Sequence, residues 1–240
     1  MPPRTQSLEV WGEFACFTRP ELKVERFSYP IITPSAVRGI FDAIYVKPNE
    51  FRWQVTQIEM LAAPSYIALR RNEVKEKAPA ESTIERWADG RDEPVPIFAD
   101  ATDDAKGRTQ RQTMALRDVR YRLHAEIRPW RGFEDRQQAL EAQFRRRAAG
   151  GKCVYQPYFG CREFPAFFEL LEAAAAQAER ARVDLDLGFM LYDVFDLSRP
   201  GGNTDKPSVS VFRATVRQGV LEVPEYASDQ VLKGGECLPC

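Results

Sequence analysis

The chain has 240 residues, 44% of them hydrophobic and 29% charged, with a formal net charge of −1. That profile is of a globular chain able to bury a core, not of a disordered or collagen-like one. No run reaches the roughly 18 apolar residues of a membrane span, and MPPRTQSLEV lacks a signal-peptide build, so a cytoplasmic location is expected.

SLEVWGEFACFT (7–18) alternates Leu8, Val10, Gly12 and Phe14 against its neighbours and predicts a first strand. Thr33 followed by Pro34 predicts a capped helix start, and Val37, Ile40, Phe41 and Ile44 form its buried stripe, with Pro48 as a stop. FRWQVTQIEML (51–61) alternates again, and SYIALRRNEVKEK, after an Ala-Pro break, predicts a partner strand. Residues 78–107, rich in Pro, Gly and acids, predict a mobile loop-like insertion. TMALRDVRYRLHAEI (113–127) predicts a strand. One face carries Val119, Tyr121, Leu123, Ala125 and Ile127, the other Asp118, Arg120, Arg122, His124 and Glu126.

RQQALEAQFRRRAAGGKC (136–153) predicts a helix with Leu140, Phe144 and Ala148 inward, ending in three arginines and stopped at Gly150-Gly151. FPAFFELLEAAAAQAERAR (164–182) predicts a further alanine-rich helix. DLDLGFMLYDVFDL and PSVSVFRATVRQGVLEV predict late strands with a hairpin turn at Gln218-Gly219. The order implies an α+β fold on an antiparallel sheet, with a ferredoxin-like start and a smaller β-rich end.

The charge is unevenly spread. Residues 105–152 hold 13 Lys and Arg against five acids, a local +8, so the remainder carries −9. Such asymmetry fits either a phosphate-binding surface or a solvated face. Common catalytic motifs are missing: no Gly-rich phosphate loop, no HExxH, no GxSxG, and one histidine in all. Five cysteines argue against a disulfide framework, and the terminal CLPC (Cys237, Cys240) lacks the second ligand pair of a zinc site. Acids at 100, 103 and 104 read as solvated, so neither a metal nor a cofactor is expected.

The remaining chemistry is metal-independent cleavage of RNA, in which the 2′-OH attacks its own phosphodiester and cations stabilise the phosphorane. A phenol of ordinary pKa about 10 needs neighbouring cations to act as a base near neutrality. Tyr45, with Lys47 two residues on, suits that role or that of a core tyrosine. Arg120, Arg122 and His124 on one strand face could grip phosphates, unless Asp118 and Glu126 pair them off.

Three blocks in order, ERFSYPIITPSAVRGIFDAIYVKP, TQRQTMALRDVRYRLHAEI and GGKCVYQPYFGCREFP, resemble CRISPR-associated protein family five, variant d, the subtype I-C precursor-crRNA endoribonucleases of the RAMP superfamily. The likeness spans about residues 7–225, and PYFGCREFP is its most specific part. It implies a ferredoxin-like (RRM-like) domain over 1–180 and a small C-terminal antiparallel β-sheet region over 181–240. It further implies metal-independent cutting of the CRISPR repeat transcript at its stem-loop. The 5′ handle would be retained in a surveillance complex with backbone and large subunits. A phosphate-gripping surface of this kind would also accept duplex DNA. The family's helix-end tyrosine falls on Tyr45. Its Lys-His pair falls on a helix start that here reads Gln137, Gln138 and Ala139, and a histidine common before QPY is here Tyr155. Tyr45, His124 and Lys152 are therefore the candidate catalytic residues. The candidate RNA-binding residues are Arg26, Arg38, Lys47, Arg108, Arg111, Arg120, Arg122, Arg145, Arg146, Tyr155 and Arg162. The alternative is a non-catalytic subunit that only holds the 5′ handle.

Overall fold

The computed structural model describes residues 3–22, 24–74, 79–95, 108–171, 179–201 and 206–234, apart from the side chains of Glu73, Val74 and Arg108. The strands are β1 (Gln6–Ala15), β2 (Arg26–Phe27), β3 (Phe51–Met60), β4 (Tyr66–Val74), β5 (Arg108–Pro129), β6 (Phe167–Leu170), β7 (Leu185–Asp193), β8 (Ser210–Arg217), β9 (Val220–Glu222) and β10 (Val231–Lys233). The helices are α1 (Pro34–Ile44), α2 (Glu81–Ala88) and α3 (Gln137–Ala149), the last preceded by a 3₁₀ turn over Glu134–Arg136.

All ten strands join one sheet in the order β10-β8-β9-β3-β5-β1-β6, with β2 and β4 also on β5 and β7 on β8. Every pairing is antiparallel except β2 with β5. The fold is thus α+β, dominated by one large antiparallel sheet. The long β5 is its spine. Its outer half pairs with β4, its inner half with β1 and β3, and Asp118 at φ 52° marks the change of partner. Asp is among the few residues that tolerate this left-handed conformation.

The predicted alternation on β5 holds: Val119, Tyr121, Leu123, Ala125 and Ile127 are all buried. Helices α1 and α3 cover that face. Phe41 of α1 lies 4.8 Å from Trp53 and 5.5 Å from Phe144 of α3, and Phe144 packs edge-on against Trp53 at 4.8 Å. Thr33 caps α1 through a hydroxyl that accepts from the Ala36 N–H at 3.3 Å, and Pro34 stands at its first position. The helix closes at Ile44, ahead of Pro48, because Tyr45 turns to extended backbone. Leu140, Phe144 and Ala148 are the inward stripe of α3. Gly151 at φ 61° lets the Lys152 N–H return to the Arg147 carbonyl at 2.9 Å, a Schellman closure.

Several expectations change. The segment after the Ala-Pro break is a strand, but it partners β5 and not β3. Within 78–107 the described residues include the helix α2, which buries none of its residues; the acids at 100, 103 and 104 lie outside the described residues. Phe167–Leu170, expected to be helical, is strand β6. Its backbone completes hydrogen bonds along β1, and pairing at a sheet edge outweighs helix propensity in so short a run. Residues 172–178 of that expected helix, and Cys237 and Cys240, lie outside the described residues. The β8–β9 turn is as expected: Gln218 and Gly219 have φ of 48° and 75°, the pair of positive angles a two-residue hairpin requires. A Cβ on Gly219 would stand 2.2 Å from the Ala181 carbonyl oxygen, so no other residue fits there.

Candidate nucleic-acid site at the ends of α1 and α3

The C-terminal ends of α1 and α3 meet, and Tyr45 sits between them. The Arg147 guanidinium reaches from the last turn of α3 and donates through Nε to the Ile44 carbonyl at 2.6 Å. The Val154 N–H donates to the Ala43 carbonyl at 2.6 Å. A cation on the unpaired carbonyls of a helix end also opposes the negative pole of its dipole. Tyr45 stacks on Phe51 at 5.4 Å, and its carbonyl accepts from Trp53 Nε1 at 3.1 Å. Beside it Glu50 holds two cations, Lys47 at 2.8 Å and Arg136 at 2.7 Å.

These surroundings set the phenol's chemistry. Burial pushes the Tyr45 pKa above its ordinary value; Glu50 adds to the rise, and Lys47, Arg136 and Arg147 oppose it without cancelling it. The cations that a tyrosine base would need are therefore present, but two of them share the single carboxylate of Glu50. A phenol in this setting is neutral at pH 7 and is a proton donor.

Lys152 and Tyr155 belong to the same corner. Residues 149–156 are exposed throughout, and the Tyr155 hydroxyl reaches toward the Gly39 carbonyl of α1 at 3.5 Å. Arg146 stands on the last turn of α3, just after Arg145, and pairs with Gln143. Clefts flank α1. One of about 480 Å³ is lined by Ser35, Arg38, Asp42, Tyr155 and Tyr158. Another of about 350 Å³ is lined by Pro48, Arg52, Trp130, Arg199 and Lys206.

His124 is elsewhere. It lies on β5 between Leu123 and Ala125, so its ring points to the sheet face away from the helices. There Nδ1 is 2.8 Å from Ser7 Oγ and Nε2 is 3.1 Å from Glu59 Oε1. Burial lowers its pKa, only partly offset by Glu59. Tyr45 and His124 are thus separated by the sheet and do not meet at one phosphodiester.

The predicted cations divide in the same way. Arg122 is 4% exposed in its side chain and bonded to Glu59 at 2.7 Å, which corrects the expectation that it grips phosphate. Arg120 donates to Glu9 at 2.6 Å. Asp118 and Glu126 were the expected neutralisers, but Glu9 and Glu59 from the flanking strands fill that role. Arg38 is also corrected: its guanidinium spans Asp193 at 2.6 and 3.1 Å and Asp42 at 2.6 Å. Burial disfavours its charge, but the two carboxylates outweigh that and raise its pKa. Asp42 itself is pushed up to about 6 by burial, against the pull of Arg38. Arg26 donates to Cys161 Sγ at 3.2 Å, and Arg111 lies on the outer half of β5. Arg162 is exposed, and the Arg108 side chain lies outside the described residues.

Glu50, Arg136 and Arg147 were not among the predicted site residues. Arg147 was legible: it follows Phe144 by three residues and so flanks the buried stripe. Glu50 and Arg136 meet only through the fold.

The family model for CRISPR-associated protein, Cas_Cas5d, matches residues 7–224. The chain belongs to the Cas5d family. The CRISPR pre-crRNA endoribonuclease Cas5d of Mannheimia succiniciproducens is 38% identical over 230 residues, 93% of this chain and 96% of its own. That of Thermus thermophilus is 38% identical over 231 residues, 90% of each chain. Among solved structures, the crystal structure of a CRISPR-associated protein superposes with a TM-score of 0.61 at 19% identity, covering 95% of this chain and 96% of that one. The functionally uncharacterized SMU1763c of Streptococcus mutans gives 0.60 at 18% identity, covering 95% and 97%. These likenesses extend to the fold. Where the Cas5d resemblance places a Lys-His pair, Gln137 instead donates to the Ile127 carbonyl at 3.0 Å and to Glu141 at 2.5 Å.

Proposed function

We propose that this Cas5d chain cleaves CRISPR repeat RNA without a metal, at the corner where α1 and α3 end, and keeps the 5′ handle. The observation that carries the reading is Tyr45 set among Lys47, Arg136 and Arg147. In the reaction the 2′-oxygen attacks the adjacent phosphorus, its proton passes to solvent, and the P–O5′ bond breaks. The products are a 2′,3′-cyclic phosphate and a 5′-hydroxyl. The neutral Tyr45 phenol donates its proton to the departing 5′-oxygen, and the surrounding cations, with Lys152, stabilise the phosphorane. Lys47, Arg145, Arg146 and Tyr155 hold the neighbouring RNA. His124 has no step in this scheme.

The order β6-β1-β5-β3, with α1 between β1 and β3 and α3 between β5 and β6, supports a ferredoxin-like module over 1–180. The strands of 181–240 would be a second, smaller module that continues the same sheet. In the cytoplasm the chain would join the backbone and large subunits of a surveillance complex, and its cationic corner would also meet duplex DNA. A second reading, handle binding without cleavage, is favoured by Gln137, an untitratable group where the family has its Lys-His pair.

The test is incubation of the purified protein with labelled repeat RNA in EDTA, beside the same RNA carrying a 2′-deoxy residue at the cut. Scission of the first RNA alone is expected. Binding without scission of either would establish the second reading instead.

A further inference from the structure

On the sheet face away from the helices, Trp11 of β1 and Phe167 of β6 are cross-strand partners, with rings stacked 6.4 Å apart at 27°. They are 37% and 52% exposed, large apolar groups at positions that strands facing water usually give to polar residues. A cavity of about 590 Å³ opens beside them, and its charged lining is Glu9, Glu13, Asp118 and Glu169 against Arg120. Arg120 is spent on Glu9, whereas Glu13 and Glu169, both exposed, have no hydrogen bond or ion pair among the described residues. Among the described residues, strand β6 ends the sheet on this side, so the aromatic pair stands at its edge.

We infer that this patch docks an extended, arginine-bearing segment of a partner protein. An exposed indole and phenyl side by side offer faces to a guanidinium, and the carboxylates around them supply its ion-pair partners. The lining excludes the other polymer that seeks aromatic platforms. An RNA strand stacking here would bring its phosphates against a surplus of carboxylates, and like charges at such range repel. Acidic edge and basic α1–α3 corner then divide the labour of the molecule, protein on one and RNA on the other. The docking chemistry does not depend on whether the chain cuts RNA.

The test is calorimetric titration of the full chain with blocked tetra-arginine, blocked tetra-glutamate and repeat RNA. Wild type is compared with Trp11→Ala/Phe167→Ala and with the exposed pair Glu13→Lys/Glu169→Lys, which leaves the core untouched. Tetra-arginine is expected to bind at least tenfold more tightly than tetra-glutamate, each double variant to lose at least tenfold of that affinity, and RNA affinity to hold. Arginine affinity that stays within twofold in the Glu13→Lys/Glu169→Lys protein would overturn the proposal. So would RNA affinity that falls in the Trp11→Ala/Phe167→Ala protein, which would make the patch a base-stacking platform.

Discussion

Glu50 is the residue on which the corner's electrostatics turn, because it occupies Lys47 and Arg136 and helps to hold the Tyr45 pKa up. Glu50→Gln removes the opposing charge, so the phenol should ionise at lower pH. If Tyr45 acts as the proton donor, the high-pH fall in cleavage rate should begin earlier in this variant, measured as single-turnover rate against pH. Asp42 and Asp193 share Arg38. Asp42 holds its proton to about pH 6, higher than an unfolded carboxyl does. Its contribution to stability is therefore full below about pH 4 and is lost as pH rises through about 6. Asp42→Asn should remove that loss, seen as a melting temperature that no longer declines over this window. Asp193 is 1% exposed and also accepts the N–H groups of Val194 and Phe195. Asp193→Asn leaves Arg38 buried and under-compensated, and should cost about 3–5 kcal/mol in denaturant unfolding.

At the scale of elements, α3 combines two functions that neighbouring arginines separate. Arg147 fastens its end to α1, while Arg146 is exposed. Arg147→Ala should lower stability by about 1.5–3 kcal/mol, the usual worth of a charged hydrogen bond. Arg146→Ala should leave unfolding unchanged and weaken RNA binding. Both follow from urea titrations and filter binding. The elements were legible where periodicity ran long: α1, β5 and α3 bury all the residues their patterns named, and β1 all but Phe14, which is half-buried. Four elements were missed. Strands β2 and β10, of two and three residues, are too short to carry any pattern. FFEL is too short to show a period, and β1's open edge, not its own composition, makes it β6. The helix α2 buries nothing and so left no stripe to read.

For the whole molecule, the +8 segment was legible as charge but not as a surface. Strand β5 sends Arg120 and Arg122 to a sheet face where Glu9 and Glu59 absorb them, and only the α3 end of the segment joins Tyr45. Pairings between residues over 60 apart decide this, and spacing along the chain carries no trace of them. The usable cations are thus fewer than the sequence suggests. If Lys47, Arg145, Arg146 and Lys152 each neutralise one phosphate, log affinity should fall with log salt at a slope of about −3, at roughly 0.7 per single-strand contact. A slope of about −9 would mean that all 13 cations of the basic segment bind, at roughly 0.7 each.

The central claim is that one corner of the molecule cuts RNA while the histidine face does not. It is tested most directly by single-turnover cleavage of repeat RNA by Tyr45→Phe and His124→Ala, each at saturating protein. The account predicts a loss of about 100-fold or more for Tyr45→Phe, the usual worth of a general acid, and a rate within about threefold of wild type for His124→Ala. Wild-type cleavage by Tyr45→Phe with loss in His124→Ala would contradict it.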